Sequence, residues 1–393
     1  MKILQVIGSI APSFGGPAFV ARILHDAWRD GGHEPTLLCA ADESSDVARW
    51  SPGGDAVGMG PGRFGMFMHS PALAPWLHRH ARDYDAIVVH GLWQHHGIAV
   101  RRAARRAKVP FLTFVHGSLD PWFRHTYPLK HLKKQLYWWF AEGWNVHGAA
   151  ALVFTSERER RLAHGMFWPY RMNEVVMPIG IADPMALASQ RSSVFHDRFP
   201  GLRPKRLMLF LGRVHKVKGL EVLIRAFARI APSDDRLHLV IAGPEVDGTA
   251  ARARELIVTF RLEDRVTWTG MVEGDLKWSA YCAAELFCLP SHSENFGLVV
   301  AEALGLGVPV LVSDRVNIHE EILGARAGLI VEDTVESTVD GLQRWLALTD
   351  DERARVRERA RGCFAEHFDI RRSIAGLTAL VESSARRLGA ARG

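Results

Sequence analysis

Residues 289–312 read Leu-Pro-Ser-His-Ser-Glu-Asn-Phe-Gly-Leu-Val-Val-Ala-Glu-Ala-Leu-Gly-Leu-Gly-Val-Pro-Val-Leu-Val. An apolar run that ends at Pro290 passes through a polar turn into an apolar stretch that predicts a helix over about 296–304. Two glycines and Pro309 then end this helix before the next apolar run. The stretch therefore predicts the order strand, loop, helix, strand, which is typical of parallel α/β sheets.

Two carboxylates in this stretch are eight residues apart. Glu294 lies in the loop at the carboxyl end of the predicted strand, and Glu302 lies about two turns into the helix. The backbone N–H groups of Phe296, Gly297 and Leu298 point out of the predicted helix N-terminus, where an anion can bind. Each carboxylate can accept two hydroxyl groups of a diol. The alternative is a polar turn followed by a helix whose second glutamate is solvated.

Apolar, β-rich runs fall into two series along the chain, with helical patterns between several of them. We therefore predict two α/β domains, each with a mostly parallel sheet covered by helices. Ligands of such sheets bind at the carboxyl ends of the strands, so we expect a site in a cleft between the two domains. The runs are 3–6, 36–40, 86–90, 111–115, 151–155 and 174–177 in the first series, and 206–211, 238–242, 266–269, 286–289, 308–313 and 328–331 in the second.

The composition is that of an ordinary soluble globular protein. Hydrophobic residues make up 48% and charged residues 23% of the 393-residue chain, and no apolar run is as long as a membrane-spanning helix. The four cysteines are scattered, without the spacing of a disulfide framework or a metal site. The cytoplasm is therefore the expected compartment.

The net charge of +6 lies entirely in the first half of the chain. Residues 1–180 contain 20 Lys and Arg against 14 Asp and Glu, whereas residues 181–393 contain 29 of each. A basic first half suits an anionic membrane surface or a lipid phosphate, with nucleic acid as the alternative partner. Charge alone does not separate these two.

The spacing Glu-x7-Glu, the turn Ser-Glu-x-Phe-Gly and the exit Gly-x-Pro-Val resemble the retaining nucleotide-sugar glycosyltransferases of the GT-B architecture, glycosyltransferase family 4. The resemblance covers nearly the whole chain. It implies two facing Rossmann-like, doubly wound domains with a cleft between them. We expect an acceptor-binding domain over 1–182, a nucleotide-sugar-binding domain over 183–365, and a C-terminal helix over 366–393 that returns to the first domain.

The resemblance implies roles for residues of the second half. The first glutamate of the family motif, here Glu294, lies at the donor sugar, and the second, here Glu302, holds the ribose. The family's Gly-Arg and Lys-Gly pair matches Arg213 and Lys218, which are thereby implied as diphosphate ligands. The segment with Val272 resembles the one whose backbone holds the nucleotide base.

The resemblance also implies contacts from the first half. The glycine-rich loop after the first strand, which contains Gly16, is similar to the loop that reaches over the donor diphosphate. His116 follows the strand at 111–115, and its place matches the family's histidine beside the donor sugar. The histidines at 90, 95 and 96 lack a convergent carboxylate or cysteine, so they predict packing or acceptor contacts and no metal site.

The implied activity is the transfer of a sugar, with retention and without a metal or other cofactor, from a UDP- or GDP-sugar to an acceptor hydroxyl. The members that the chain resembles build exopolysaccharide or lipid-linked glycans. Glu294 would orient the donor, and His116 would support the developing charge. The alternatives are a nucleotide-sugar epimerase on the same fold and a basic nucleic-acid-binding protein, although no nucleic-acid motif is present in the sequence.

Residues 121–147 combine cationic side chains with many aromatic rings. Such a segment can lie in a membrane interface with Lys130, Lys133 and Lys134 on phosphates, or it can pack its rings on the sheet. We expect most of the rings to pack and a few at the edge to contact an anionic membrane surface. The expected location is therefore the cytoplasm, with peripheral contact to the inner face of the cytoplasmic membrane.

Overall fold

The structure is a computed structural model in which the chain forms two compact units. Unit 1 comprises Met1–Gly180 and Ile370–Gly393, and unit 2 comprises Ile181–Asp369. Pro12 and Ser13 of the glycine-rich loop, parts of the 121–147 segment and the last three residues lie outside the described part. The described residues are 1–11, 14–51, 55–122, 124, 127–188 and 193–390.

Unit 1 is built on a seven-stranded, all-parallel sheet with the strand order β3-β2-β1-β4-β5-β6-β7. The central strands are buried on both faces, which explains why they are almost entirely apolar in sequence. The strands are β1 (Lys2–Ile7), β2 (Glu34–Cys39), β3 (Ala56–Gly58), β4 (Ala86–His90), β5 (Phe111–Phe114), β6 (Ala151–Phe154) and β7 (Glu174–Val176).

The first helix of unit 1 starts where Pro17 occupies the first turn, a position that does not need a backbone N–H. A π-helical turn at Trp138–Glu142 joins the fifth and sixth helices. The helices are α1 (Gly16–Asp30), α2 (Ser44–Trp50), α3 (Leu73–His80), α4 (His95–Ala107), α5 (Pro128–Tyr137), α6 (Gly143–His147) and α7 (Glu157–Ala163).

Unit 2 is built on a six-stranded, all-parallel sheet with the strand order β10-β9-β8-β11-β12-β13. Its strands are β8 (Arg206–Leu211), β9 (Leu237–Ala242), β10 (Val266–Gly270), β11 (Ala284–Leu289), β12 (Val310–Ser313) and β13 (Gly328–Val331). Its helices are α8 (Met185–Ala188), α9 (Val194–Arg198), α10 (Leu220–Ile230), α11 (Thr249–Thr259), α12 (Gly274–Ala283), α13 (Leu298–Gly305), α14 (His319–Ala325), α15 (Val335–Ala347) and α16 (Asp350–Cys363).

The last helix, α17 (Ile370–Ala390), packs within unit 1 against α1 and β4. The indole N–H of Trp28, a fully buried residue of α1, donates a 3.0 Å hydrogen bond to the hydroxyl of Thr378. Leu377 and Val381 of α17 are also buried. The core of unit 1 therefore includes residues from both ends of the chain.

In each unit the chain runs outward to one side of the first strand and then crosses to the other side. In unit 1 the crossing takes the chain from β3 to β4, and in unit 2 from β10 to β11. Ligands of doubly wound sheets bind outside the carboxyl ends of strands at such a switch point. The predicted fold class, two Rossmann-like α/β domains, is confirmed, and the loops after β1, β4, β8 and β11 become the places to search for a site.

Candidate functional site

The loop between β8 and α10, which carries Lys216 and Lys218, contains a position where only glycine fits. A 3-10 turn, Lys216–Lys218, connects β8 to α10 and ends at Gly219, whose φ is 71°. A Cβ atom at Gly219 would lie 1.9 Å from the carbonyl oxygen of Pro290, at the end of β11. The loops after β8 and β11 are therefore in direct backbone contact, which brings the side chains on the two loops together.

Lys218 and Glu294 form an ion pair across these two loops. Their side chains are only 16% and 15% exposed, so water screens the pair less than it would at an open surface. The backbone of Glu294 is fixed as well, because its N–H donates to Arg315 and its carbonyl accepts from Asn317. The structure thus brings together two of the predicted site residues that are 76 positions apart in sequence.

The helix after Glu294 begins two residues later than its apolar pattern predicts. Gly297 adopts the left-handed conformation, with φ 73°, so α13 starts at Leu298. The Phe296 ring is buried and packs edge-on against Phe368 at 5.7 Å. Phe296 can therefore offer a ligand only its backbone, as the prediction for this turn requires.

Glu302 is almost completely buried and already has two partners. The ammonium of Lys277 lies 2.6 Å from Oε1, and the Tyr281 hydroxyl donates to Oε2 at 2.9 Å. Burial, with the nearby charge of Glu302 as a second cause, raises the pKa of Tyr281 well above its usual range. Four lone-pair sites on a carboxylate leave Glu302 able to accept two further bonds. The solvated-glutamate alternative is wrong for Glu302.

Unit 2 contains a cavity of about 450 Å³. Arg213 and Val272, both predicted site residues, line it together with Lys277, the partner of Glu302. Arg213 is exposed and forms no ion pair with any residue in the described part of the chain. The side chain of Val272 is buried, which leaves its backbone as the part available for a contact. The lining also includes Leu211, Gly212, Gly243, Pro244, Met271, Glu273, Gly274, Trp278 and Val299.

In unit 1, His116 follows β5 in a strained conformation, with φ 51°. Its Nε2 atom lies 3.0 Å from Nδ1 of His90, whose Nε2 lies 2.9 Å from the amide oxygen of Gln5. If that oxygen accepts from His90, then His90 accepts from the Nε2–H of His116. The remaining ring nitrogen of His116, Nδ1, is then an acceptor. Burial lowers the pKa of His116 to about 3, so the ring is neutral near pH 7.

A buried carboxylate orients the turn after His116. Glu159 accepts the N–H of Gly117 at 2.6 Å with one oxygen, and the N–H and hydroxyl of Thr155 at 2.6 and 2.8 Å with the other. No sequence motif singled out Glu159, because its signal is only a glutamate in the first turn of α7. Its role becomes visible once β5 and β6 pair side by side.

The other histidines of this region serve as packing groups. His96 is fully buried and its Nε2 lies 3.1 Å from the carbonyl oxygen of His90. Burial lowers the pKa of His96 to about 4 and that of His90 well below its usual range. Within the described residues, no group of three or more His, Cys, Asp or Glu side chains is arranged to hold a metal ion.

Gly16 lies at the open start of α1. A Cβ atom there would meet no atom of the described residues within 4 Å, beyond its own chain neighbours and helix backbone. The preceding Gly15 has φ 80°, which favours glycine. Before it, the Ser9 hydroxyl and the Ile10 N–H both donate to the carboxylate of Asp42, at 2.6 and 2.7 Å. The loop after β1 is thus fixed at its base and open at its end.

The segment after His116 exposes a row of large apolar side chains. Leu129, Leu132, Leu136 and Phe140 repeat at three- and four-residue spacing, and Leu129 and Phe140 are 78% and 81% exposed. Trp138 faces inward and is 1% exposed. Trp139 and Trp144 are exposed as well, whereas Trp122, Tyr127 and Tyr137 are half-buried, so most of the described rings of this segment are at least partly packed. None of the helices that the structure describes has the length and apolar character needed to span a bilayer.

Under this segment lies a buried carboxyl group. Glu142 is 1% exposed and accepts the backbone N–H of Trp93 at 3.1 Å. Burial raises the pKa of Glu142 to about 7, although Lys134 lies close enough to oppose the shift. The ammonium of Lys134 stands 4.6 Å from the centre of the Trp93 ring. Burial therefore favours the neutral form of Glu142 far more than in an exposed glutamate.

Two family models match the chain. The model described as "Glycosyl transferases group 1" matches residues 196–362, and the model described as "Glycosyl transferase 4-like domain" matches residues 15–180. The first falls within unit 2 and the second within unit 1.

Similar sequences are found among characterised transferases. D-inositol 3-phosphate glycosyltransferase of Pseudarthrobacter chlorophenolicus is 32% identical over 151 residues, which are 38% of this chain and 36% of that relative. Mannosylfructose-phosphate synthase of Agrobacterium fabrum is 31% identical over 133 residues, 32% of this chain and 29% of that relative. The chain thus aligns with only about a third of the length of the curated relatives it matches.

Solved structures share the fold over the whole chain. HepE of Anabaena, in complex with UDP and glucose, superposes with a TM-score of 0.78 at 18% identity and covers 98% of this chain and 100% of its own. Sucrose-phosphate synthase of Thermosynechococcus elongatus gives a TM-score of 0.75 at 20% identity, with full coverage of both chains. At such low identities this likeness concerns the fold.

Proposed function

Because this chain belongs to the group 1 glycosyltransferases of the GT-B fold, we propose that it transfers a hexose from a nucleotide-sugar donor to an acceptor hydroxyl with retention of configuration. Unit 2 would bind the donor, and unit 1 would bind the acceptor. The observation that carries the proposal is the cavity in unit 2, which is lined by Arg213, Val272 and Lys277, the last of which is hydrogen-bonded to the buried Glu302.

The cavity can accommodate a nucleoside diphosphate. We assign the ribose diol to the two free acceptor sites of Glu302 and the base to the backbone around Val272. The diphosphate would contact Arg213, which has no competing carboxylate among the described residues, and the N–H groups of Phe296, Gly297 and Leu298.

The Lys218–Glu294 pair would lie at the bond that breaks. Departure of the nucleotide leaves additional negative charge on the diphosphate, and fixed cations stabilise that charge in the transition state without reorganisation. Lys218 would stabilise this negative charge, while its partner Glu294 would accept hydrogen bonds from hydroxyl groups of the donor sugar. An ion pair in the unliganded protein keeps both groups in place before the donor arrives.

Unit 1 would contribute His116 and the open turn at Gly16. With a pKa near 3, His116 acts as a neutral dipole and hydrogen-bond partner of the sugar and carries no positive charge of its own. The free space at Gly16 would let the backbone approach the diphosphate. The leaving phosphate would take the acceptor proton on the same face of the sugar, which gives retention.

The scheme requires no metal ion, because the diphosphate charge is met by Arg213, Lys218 and backbone N–H groups. Activity should therefore persist in EDTA. Loss of activity in EDTA that Mn²⁺ or Mg²⁺ restores would contradict this part of the proposal. NMR analysis of the anomeric proton in the product would test retention separately.

The donor can be identified by thermal shift against UDP-, GDP-, ADP- and dTDP-sugars. UDP-glucose is the first choice, since HepE was solved with UDP and glucose. One nucleotide should raise the melting temperature, and Arg213→Ala and Glu302→Gln should lose most of the shift. Arg344→Ala, at an exposed position of α15, is the control and should keep it. No shift with any nucleotide in the folded protein would remove the proposal's support.

The proposed acceptor is a lipid-linked or polysaccharide glycan, as in exopolysaccharide synthesis. The names of the sequence relatives justify testing inositol phosphate and sugar phosphates alongside it. Release of free nucleotide that depends on the acceptor supports the transferase. Conversion of the donor to its epimer without any acceptor would favour a nucleotide-sugar epimerase on the same fold.

We also propose peripheral contact of unit 1 with the inner face of the cytoplasmic membrane. The exposed row at Leu129, Leu132, Leu136 and Phe140 would enter the interface, and neighbouring lysines would meet lipid phosphates. Sedimentation with anionic vesicles should fall strongly in Leu132→Ser/Phe140→Ser. Unchanged sedimentation would argue against this contact.

A further inference from the structure

A second and larger cavity, of about 740 Å³, lies within unit 1. It is bounded by the second half of α4, the end of α17 and the chain just before β5 and β6. Its lining comprises Arg101, Ala104, Arg105, Lys108, Val109, Pro110, Phe111, Trp144, His147, Gly148, Ala150, Ser384 and Arg387. The proposed transfer reaction gives this cavity no role.

The lining is strongly basic. Arg101, Arg105, Lys108 and Arg387 face the cavity, and no Asp or Glu lies among the described residues that line it. None of these four cations forms an ion pair with another residue in the described ranges, although most arginines of unit 2 are paired. Among the described residues, the one hydrogen bond from these four side chains runs from Nε of Arg101 to the side-chain oxygen of Asn145, at 3.2 Å. The terminal N–H groups of these arginines are therefore available to bind a ligand.

Helix ends account for only part of this charge. Arg105 and Lys108 stand at the carboxyl end of α4, and Arg387 stands near that of α17, where each helix carries about half a negative charge. Two helix ends offset roughly one of the four positive charges, so a surplus of about three remains. Arg101 lies more than one turn before the end of α4, so it does not offset the partial charge of either helix end. The arrangement exceeds what capping of the helices requires.

Most of the remaining lining is apolar, apart from His147 and Ser384. Val109, Pro110 and Phe111 lie on one side, and the Trp144 ring, 61% exposed, lies on another. A lone inorganic ion would leave most of the volume unfilled, since sites for organic ligands span about 300–1,000 Å³. Arginine forks match phosphate oxygens geometrically. The lining therefore favours a phosphate group joined to an apolar or ring-shaped moiety.

This cavity is separate from the reaction site of unit 1. It lies before the first residue of β5, Phe111, whereas His116 follows the last. At about 3.3 Å per residue, strand β5 alone places roughly 10 Å between the two ends. A ligand in the cavity would thus bind at the amino ends of the strands, whereas His116 lies at their carboxyl ends.

We propose that the basic cavity of unit 1 is a second binding site, for an organic phosphate whose phosphoryl group is held by Arg101, Arg105, Lys108 and Arg387. The phosphate comes either from a soluble ligand or from a lipid headgroup. Trp144 continues the spacing of the exposed apolar row that ends at Phe140, so a lipid would meet both features at once.

Matched double variants test the site. Arg105→Gln/Arg387→Gln removes two positive charges from the lining, and neither residue has an intramolecular ion pair to lose among the described residues. Arg102→Gln/Arg106→Gln removes the same charge from exposed positions of the same helix that do not line the cavity. Thermal unfolding should be similar for both, which confirms that each variant folds.

Phenyl phosphate in calorimetric titration is the soluble probe, and phosphatidylcholine vesicles with phosphatidic acid are the lipid probe. We expect at least one probe to bind, with the lining variant weakened by about tenfold or more and the control variant by less than about twofold. If the lining variant binds phenyl phosphate more weakly than the control variant does, the phosphate comes from a soluble ligand. If the two variants differ only in binding to vesicles, it comes from a lipid. Absence of binding to both probes, or equal loss in both double variants, overturns the proposal.

Discussion

The ammonium nitrogen of Lys277 lies 2.6 Å from Oε1 of Glu302, although the two residues are 25 positions apart in the chain. With the Tyr281 hydroxyl on the other oxygen, the carboxylate is fixed before any ligand binds. In the proposed donor site, a nucleotide would therefore meet an oriented acceptor and would cost little side-chain entropy on binding.

Glu302→Gln should reduce nucleotide affinity by about tenfold or more, because an amide offers weaker acceptors to a ribose diol than a carboxylate does. Calorimetric titration with the preferred nucleotide measures this change. Glu336→Gln is the control, since its side chain is exposed and forms only a surface pair with Arg229. Equal affinities of the Glu302 variant and the wild type would remove the ribose role.

Lys218→Ala should lower kcat by about 100-fold or more, because the charge that develops on the leaving diphosphate loses a fixed cation. The neighbouring Lys216→Ala is the matched control: it lies in the same turn, is exposed, and should keep most activity. Initial rates and melting temperatures are measured together. A loss of stability in Lys218→Ala that fully accounts for the loss of activity would make Lys218 a structural residue only.

Stability should fall as the pH drops below about 6.5. Buried His90, His96 and His116 have pKa values below their ordinary 6.5 in the fold, so the unfolded chain binds more protons below that pH. Each contributes up to about 1.4 kcal/mol per pH unit. Glu142 opposes them, because its raised pKa of about 7 makes the folded state bind an extra proton between pH 7 and 4.5.

Urea unfolding between pH 7 and 5 measures this slope. His96→Asn should make it shallower, and Glu142→Gln should make it steeper, each by up to about one proton. Changes of opposite sign in the slope of the unfolding free energy against pH would show that these two groups, and not a general effect of acid, cause the dependence. A free energy of unfolding that does not change over this range would contradict the assignment.

Gly219→Ala should destabilise the protein by about 3 kcal/mol or more. The substitution combines a left-handed backbone with a Cβ atom 1.9 Å from the Pro290 carbonyl oxygen. Gly362→Ala, in α16, should be neutral or stabilising, since its Cβ meets no atom within 4 Å. Denaturant midpoints measure both. A Gly219→Ala protein as stable as the Gly362 variant would show that the two loops do not need this contact.

The twelve predicted strands are all present, and most of them are apolar runs that a parallel sheet buries on both faces. Strand β3 escaped prediction since it has only three residues, Ala-Val-Gly, without a pattern. The helix near 296 was predicted two residues too early. Its apolar character begins at Phe296, but that ring packs in the core from a turn, and Gly297 sets the start of the helix.

Side-chain partnerships were predictable only where a motif places them. The pairing of Lys218 with Glu294 follows from two loops at neighbouring strand ends, yet no local signal marks Lys277 or Tyr281 as partners of Glu302. These contacts arise when α12 and α13 pack on the sheet. The Gln5–His90–His116 series is similar, because its members come from three adjacent strands or strand ends.

The placement of α17 has a consequence for synthesis on the ribosome. Unit 2 is one continuous stretch that precedes α17 in the chain. All residues of unit 2 therefore leave the ribosome before Thr378 does, and only then can the indole of Trp28 in unit 1 form its hydrogen bond to Thr378. The amino-terminal unit, although translated first, is the last to complete its core. Until α17 emerges, the nascent chain exposes the part of the α1 surface that α17 later covers, and transiently exposed apolar surface of this kind favours aggregation.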